Sequence, residues 1–265
     1  MCPLCNSEIN YKLKTEKYKY DIYSCVNKNC NHFFYKDFYP GQGVDQREDN
    51  VDEESETTLN TFKERNERLL KFLLKKLPPK NNFTFLDFGS GVAHISRVFK
   101  NTLNDTVDIF CFEPNEDLGG FYEKFSLIQI LKLEQTKTNY DLIYLIEVIE
   151  HLDNPKKVLL DLKNIMNKDT KLFITTPKAE DYALGDCYDN PSHIHFFTDT
   201  SLNFLLNSLG FKKMKFRYVP EMYPYDSMTF RKEKLKSILI NLLLSTGLKI
   251  DYRFKNHLVG FTQLM

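Results

Sequence analysis

Four of the six cysteines fall within residues 1–30, as Cys2-x2-Cys5 and Cys25-x4-Cys30. Each short spacing lets two thiolates turn toward one point, and two such knuckles supply a tetrahedral set of four sulfurs. Zinc suits that set, because it makes no geometric demand beyond closing its shell. With all four positions filled by protein, the expected metal is structural. Free reduced thiols are the bland alternative, and His32 could replace one thiolate. Tyr18, Tyr20, Ile22 and Tyr23 before the second knuckle, and Phe33, Phe34 and Tyr35 after it, have the composition of a ribbon's strands. So small a segment buries little apolar area, and bound metal would carry much of its folding free energy. Cys111 lies in the apolar run Ile109-Phe110-Cys111-Phe112 and reads as core. Cys187 sits in a polar stretch and is given no role.

A second constellation is Asp87-Phe88-Gly89-Ser90-Gly91, directly after the apolar stretch Phe83–Asp87. Glycines at i and i+2 allow a sharp turn and a close ligand approach, and the following helix would start with its N–H groups toward that ligand. A lone G-x-G is weak, and Ala93 stands where a dinucleotide fingerprint has its third glycine. The next strand ends in Phe112-Glu113-Pro114, which places a carboxylate where it can accept two hydrogen bonds from a ribose diol. Asp87 just before the glycines would repel a pyrophosphate and attract a cation, either an ammonium or a sulfonium. Three of the six histidines, His151, His193 and His195, fall in loops at the carboxyl ends of strands, where ligands bind in this architecture. For each, the bland alternative is a satisfied loop hydrogen bond. His32, His94 and His257 carry no functional reading.

The elements that must position these residues alternate. A helix is expected over Thr61–Leu77, stopped by Pro78-Pro79. Strands follow at Phe83–Asp87, Val107–Phe112, Leu127–Leu131, Leu142–Ile146, Leu172–Thr175 and Phe211–Val219, with a seventh at Val259–Leu264. Helices intervene at Val92–Lys100, Pro155–Met166 with Asn154 as N-cap, and Thr198–Leu209 stopped by Gly210. Leu142–Ile146 is apolar throughout, as a strand buried on both faces should be. The pattern predicts an α/β, Rossmann-like, doubly wound and mostly parallel seven-stranded sheet. It follows a zinc ribbon at 1–40 and an acidic linker at 41–60, so that the main domain is 61–265. An insert at 220–257 divides the last two strands.

Asp87, Gly89 and Gly91, then Glu113, then Glu147-Val148-Ile149-Glu150-His151 and Thr175-Thr176-Pro177 agree in order and spacing with the motifs of class I S-adenosylmethionine-dependent methyltransferases, which the chain resembles from about Phe83 to Phe211. The resemblance implies that Asp87, Gly89, Ser90 and Gly91 pass along the methionine part of the cofactor. It implies that Glu113, with Pro114, holds the ribose, and that Ile146 and Glu147 flank the reacting centre. A ribbon ahead of this core resembles methyltransferases of sugars and cell-surface polysaccharides. Their H-x-x-aromatic-F-S/T stretch is matched by His193-Ile194-His195-Phe196-Phe197-Thr198, and its first histidine faces the acceptor. His193 is therefore the first candidate for general base, with His195 and His151 behind it. The C-methylating relatives carry a further large domain for which this chain has no room, so O-methylation is expected.

Lys+Arg and Asp+Glu are both 36, giving no basic excess. That counts against the runner-up reading, an RNA methyltransferase that grips its substrate with the ribbon, although Lys12, Lys14, Lys17 and Lys19 form a local basic face. A non-catalytic binding module on the same fold is the third reading. The expected partner is a small acceptor, either a sugar or sugar-nucleotide-like molecule or a phosphate-linked group, as in capsule polysaccharide synthesis. The start of the chain shows no export leader, and no apolar run is long enough to cross a bilayer, so a cytoplasmic place is expected. The stretch 232–248 could cover the acceptor, make a dimer contact or rest on a membrane face.

Overall fold

The computed structural model describes residues 1–15, 19–38, 56–136, 139–179, 192–219 and 257–265. Most of the acidic stretch, Cys187, and the insert with its 232–248 stretch lie outside the described residues.

The amino-terminal strands β1 (Ile9–Lys14), β2 (Asp21–Cys25) and β3 (Phe33–Tyr35) form an antiparallel meander. Ile22, Phe33 and Tyr35 are buried against Ala179, Ile194 and Phe196. The main unit begins with α1 (Glu56–Leu74) and continues through β4 (Phe83–Phe88), α2 (His94–Leu103), β5 (Val107–Phe112), α3 (Gly119–Lys124), β6 (Ile128–Ile130) and β7 (Leu142–Ile146). Then follow α4 (Pro155–Asn164), β8 (Lys171–Pro177), β9 (His195–Phe196), α5 (Asp199–Ser208), β10 (Arg217–Val219) and β11 (His257–Thr262). Among the described residues the main sheet has the order β10-β11-β8-β7-β4-β5-β6. The pairs from β8 across to β6 are parallel, while β11 and β10 are antiparallel to their neighbours. The chain reverses its direction of winding between β4 and β7, and the crevice beyond that switch point is where such sheets bind ligands.

The strands are held by two apolar layers. On one face Leu86, Ile143, Leu145, Leu172 and Ile174 meet α4 and α5 through Leu159, Leu162, Leu202 and Leu205. On the other, Phe85, Ile109, Leu142, Tyr144 and Phe173 meet α1 and α2 through Leu70, Leu73 and Phe99. Each such Leu or Phe contributes about 1.5–3 kcal/mol of transfer free energy before conformational entropy is set against it. Caps hold the helix starts in place. Asn154 Oδ1 accepts the Lys157 N–H at 2.9 Å, and Thr198 and Ser201 form a reciprocal capping box.

Three differences from the sequence reading have physical causes. The helix expected from Val92 starts at His94, because Ala93 is left-handed (φ 53°) and delays it. The strand expected from Phe211 begins at Arg217. Phe211 bridges Leu264 and the Lys212 N–H bonds the Gln263 carbonyl, but Asn203 on α5 then takes both the N–H and the C=O of Met214, at 2.8 and 3.1 Å, and interrupts the pairing. The sequence reading also had no counterpart of β9. Its two residues pair with β3, Phe33 opposite Phe196 and Phe34 opposite His195, and so extend the amino-terminal sheet into the main domain.

Candidate active site

The turn after β4 is made of backbone. Gly89 (φ +75°) passes so close to the β7 loop that a Cβ there would meet the Val148 methyls at 2.9 Å. Gly91 (φ +50°) faces open space, with no atom within 4 Å of a notional Cβ. The Tyr122 hydroxyl donates to the Gly91 carbonyl and so accepts from Ser90 Oγ at 2.9 Å, fixing the turn from below. Glu113 at the end of β5 accepts from Gly91 N at 3.2 Å through one oxygen and from Asn115 N at 3.0 Å through the other. Gln129 on β6 donates to the Glu113 and Asn115 carbonyls and holds the loop that carries the carboxylate. Pro114 is exposed beside it, and Ile146 and Glu147 line the neighbouring strand end half-buried.

Asp87 lies beneath this turn, paired across the sheet with Cys111 and Tyr144 and almost fully buried. Ser96 Oγ donates to its carboxylate at 2.7 Å, and the Tyr144 hydroxyl lies 2.5 Å from Ser96. Burial pushes the Asp87 carboxyl up to about 7; the Glu113 charge adds to that, and the Ser96 hydrogen bond opposes it. A cation above the turn would restore the ionised form. A cradle with room at Gly91, a diol acceptor at Glu113 and a buried acid behind them fits S-adenosylmethionine.

The adjoining side is built from side chains of three strand ends. Glu147 after β7 has φ 56°, an uncommon conformation for glutamate, and Thr175 Oγ1 on β8 donates to its carboxylate at 2.6 Å. Three residues later the Glu150 carboxylate is buried, with one oxygen accepting from Thr176 Oγ1 at 2.9 Å. Burial first, and then the Glu147 charge, raise the Glu150 carboxyl well above the ordinary range. His151 Nε2 is 3.8 Å from the other Glu150 oxygen, and its ring stands nearly perpendicular to that of His193 with centroids 4.7 Å apart. Ligand atoms of Glu150, His151 and His193 all lie within 4.8 Å of one another. The Val148 side chain that meets Gly89 sits in the same loop, so the two halves adjoin.

Two of the three candidate histidines therefore share this cluster, and His195 does not. The ring of His195 is fully buried, its Nδ1 is 3.0 Å from His32 Nε2, and both rings stack among Phe34 and Phe197. Burial lowers His195 to about 4 and holds His32 well below the ordinary imidazole range, so both are neutral and one donates to the other. The ribbon cysteines converge as their spacing predicts. Cys2 and Cys30 sulfurs are 3.9 Å apart, Cys5 and Cys25 sulfurs 3.4 Å, and the four lie within 4.8 Å of one another. Sulfurs at the corners of a zinc tetrahedron are about 3.8 Å apart. The bond from Cys30 lowers Cys2 to about 5, while burial raises Cys25 to about 12 and the bond to Cys2 raises Cys30 further, so four thiolates together need a cation between them. The sequence reading gave Glu150 and Tyr122 no role, and offered His32 only as a substitute for one thiolate, whereas its ring faces His195. Glu150 was visible within its motif, but its burial comes from the turn that follows β7.

Residues 60–215 match a family model described as a methyltransferase domain. No curated protein matches the chain. Among solved structures, a SAM-dependent methyltransferase from Archaeoglobus fulgidus is 18% identical with TM-score 0.52, over 77% of this chain and 94% of that one. The plantazolicin methyltransferase BamL, solved with a triazolic desmethylPZN analog and SAH, is 14% identical with TM-score 0.50, over 79% and 86%. Coclaurine N-methyltransferase, bound to N-methylheliamine and SAH, is 11% identical with TM-score 0.50, over 74% and 72%. At these identities the likeness is one of fold.

Proposed function

The chain belongs to the methyltransferase-domain family and is an S-adenosylmethionine-dependent methyltransferase, and from that premise we propose that it methylates a hydroxyl oxygen of a small polar acceptor. The acceptor class is a sugar or a phosphate-linked group, of the kind carried by a surface polysaccharide. One observation carries the choice of oxygen: Glu150, His151 and His193 gather beside the cradle, in the loop that touches Gly89. An alcohol must lose its proton before or during attack on carbon, and these are the groups that can handle it.

The bound cofactor supplies a methyl group on a sulfonium, a carbon electrophile whose departure leaves a neutral thioether. Glu113 would hold the ribose diol, and the Gly89–Gly91 turn would let backbone approach the methionine part. Asp87 would stabilise the positive charge. Glu147 and Ile146 would border the reacting carbon, and Pro114 the ribose. His193 would face the acceptor, and His151 beside it is held by the Ser192 carbonyl at 2.8 Å. The hydroxyl gives up its proton at this cluster, and with no cation bound His193 is its base. Positioning supplies the rest of the rate. His195 pairs with His32 and holds the ribbon on the main domain. The ribbon itself, in this reading, is closed by one structural zinc on Cys2, Cys5, Cys25 and Cys30.

Two measurements test this. His193→Ala should lower turnover of a hydroxyl acceptor by about a hundredfold or more while leaving calorimetric cofactor affinity unchanged. Full turnover in that variant would remove His193 from the chemistry. Metal analysis of the purified protein should find zinc of which Cys5→Ser releases one equivalent per chain, and a protein folded without zinc would refute the closed ribbon.

A further inference from the structure

The Glu150 carboxylate has one oxygen bonded to Thr176 and one with no hydrogen-bond partner, although it is buried. That second oxygen faces His151 Nε2 at 3.8 Å, too far for a hydrogen bond. The Ser192 carbonyl, 2.8 Å from His151 Nδ1, can only accept, so Nδ1 carries the proton. When the ring is neutral, Nε2 is then the nitrogen that can act as a ligand. His151 Nε2 and the buried carboxylate oxygen therefore face each other, with a ring nitrogen of His193 within 4.8 Å of both. An ionised carboxylate and a neutral imidazole so placed repel one another unless a proton or a metal ion lies between them, and two imidazoles with one carboxylate are a donor set that a metal ion takes.

We propose that Glu150, His151 and His193 form the binding site of a first-row divalent cation, which an acceptor hydroxyl joins as a further ligand. This rests on the O-methyl transfer proposed above and changes how His193 takes part in it. The supports are those of a metal site. His151 donates its other ring N–H to a backbone carbonyl, which fixes its tautomer and aims Nε2, and Thr176 orients the carboxylate. Two imidazoles and one carboxylate suit zinc, manganese, cobalt or iron better than magnesium or calcium, which take oxygen donors. Three protein ligands leave positions open, unlike the four-sulfur set of the ribbon. Ligand atoms about 2.0–2.2 Å from a zinc-sized ion would sit about 3.4 Å apart, so the 3.8 Å pair need close only slightly. Glu147, held by Thr175 one turn away, adds negative potential.

A hydroxyl bound there loses its proton to a solvent water more readily, because the cation stabilises the alkoxide. The oxygen then forms its bond to the methyl carbon as the carbon–sulfur bond breaks, and both electrons of that bond stay on sulfur.

The test uses the full-length protein and manganese(II) alone, with free ion followed by electron paramagnetic resonance. Wild type should bind one manganese that neither Cys2 nor Cys5 substitution removes. Glu150→Gln, which keeps the side chain's shape, and His193→Ala should each weaken binding about tenfold or more. Unchanged SAH affinity would show that both variants keep the cleft. No binding by wild type, or equal binding by both variants, overturns the site. Methyl transfer is scored separately with labelled cofactor. Transfer to a hydroxyl at full rate in chelator overturns the cation's role and leaves the O-methyl reading standing. Manganese bound as described, with no hydroxyl acceptor ever labelled, keeps the site and removes that reading.

Discussion

The two sides of the candidate site are made of different material. The side proposed to hold the cofactor is a run of backbone between Gly89 and Gly91, steadied by Tyr122 and closed by one carboxylate from the next strand. The acceptor side is side chain throughout, with Glu150 and His151 after β7, Thr175 and Thr176 on β8, and His193 before β9. Backbone makes a site that any member of a fold can present, because it depends on turn geometry alone. Side chains make a site particular to one chemistry. A fold likeness at 11–18% identity shows the fold and assigns the residues of neither side.

If that division holds, substitutions on the two sides should separate cleanly into binding and turnover. The largest effect on the cofactor side is expected at Glu113. Two charge-assisted hydrogen bonds to a diol, at about 1.5 kcal/mol each, amount to about a hundredfold in affinity. Glu113→Ala should lose that much cofactor binding by calorimetry while thermal stability shifts little, since the side chain is half exposed and its present partners are loop N–H groups. Turnover at saturating cofactor should stay near wild type. A variant with wild-type affinity would take Glu113 out of the cradle. One with poor affinity and poor saturated turnover would blur the division itself.

The same division explains what the sequence made legible. The cradle is local: acid, glycines and helix lie within ten residues, and the ribose acid ends the next strand, so spacing alone exposes it. Continuous apolar runs such as Leu142–Ile146 mark the central strands for the same reason. The cysteine knuckles are two local pairs and could be paired by inspection. By contrast, nothing near Glu150 in the chain announces that Thr176 will bond it or that His193 will join it, because those contacts arise only when β7, β8 and the segment before β9 lie side by side. His195 shows the converse. Its neighbours in sequence favour the acceptor side, yet it lies one residue beyond Ile194, whose N–H bonds the Glu150 carbonyl. Strand alternation turns its ring the other way, onto His32 and the ribbon. Two residues of strand carry no readable period, and β9 exists because β3 offers an edge to pair with.

A smaller effect would sharpen the comparison at the one buried acid on the cofactor side. Burial raises Asp87 to about 7 in the free protein, against about 4 in an unfolded chain. For a raised carboxyl the native state binds the proton more tightly than the unfolded one. The stability this contributes is full below about pH 4 and is lost as pH rises through about 7. A cationic ligand above the turn reverses the preference, since it favours the carboxylate. Cofactor binding below pH 7 must then release a proton, and affinity should climb as pH rises toward about 7, by at most about tenfold per unit, and level off above it. Calorimetry in two buffers of different ionisation enthalpy reads the released proton directly, and Asp87→Asn should abolish both the release and the slope. The acceptor side should show no such link to cofactor affinity, so Glu150→Gln should leave the slope intact. A flat profile in wild type would mean that Asp87 does not sense the cofactor's charge, and the cradle would then recognise its ligand by shape and diol alone.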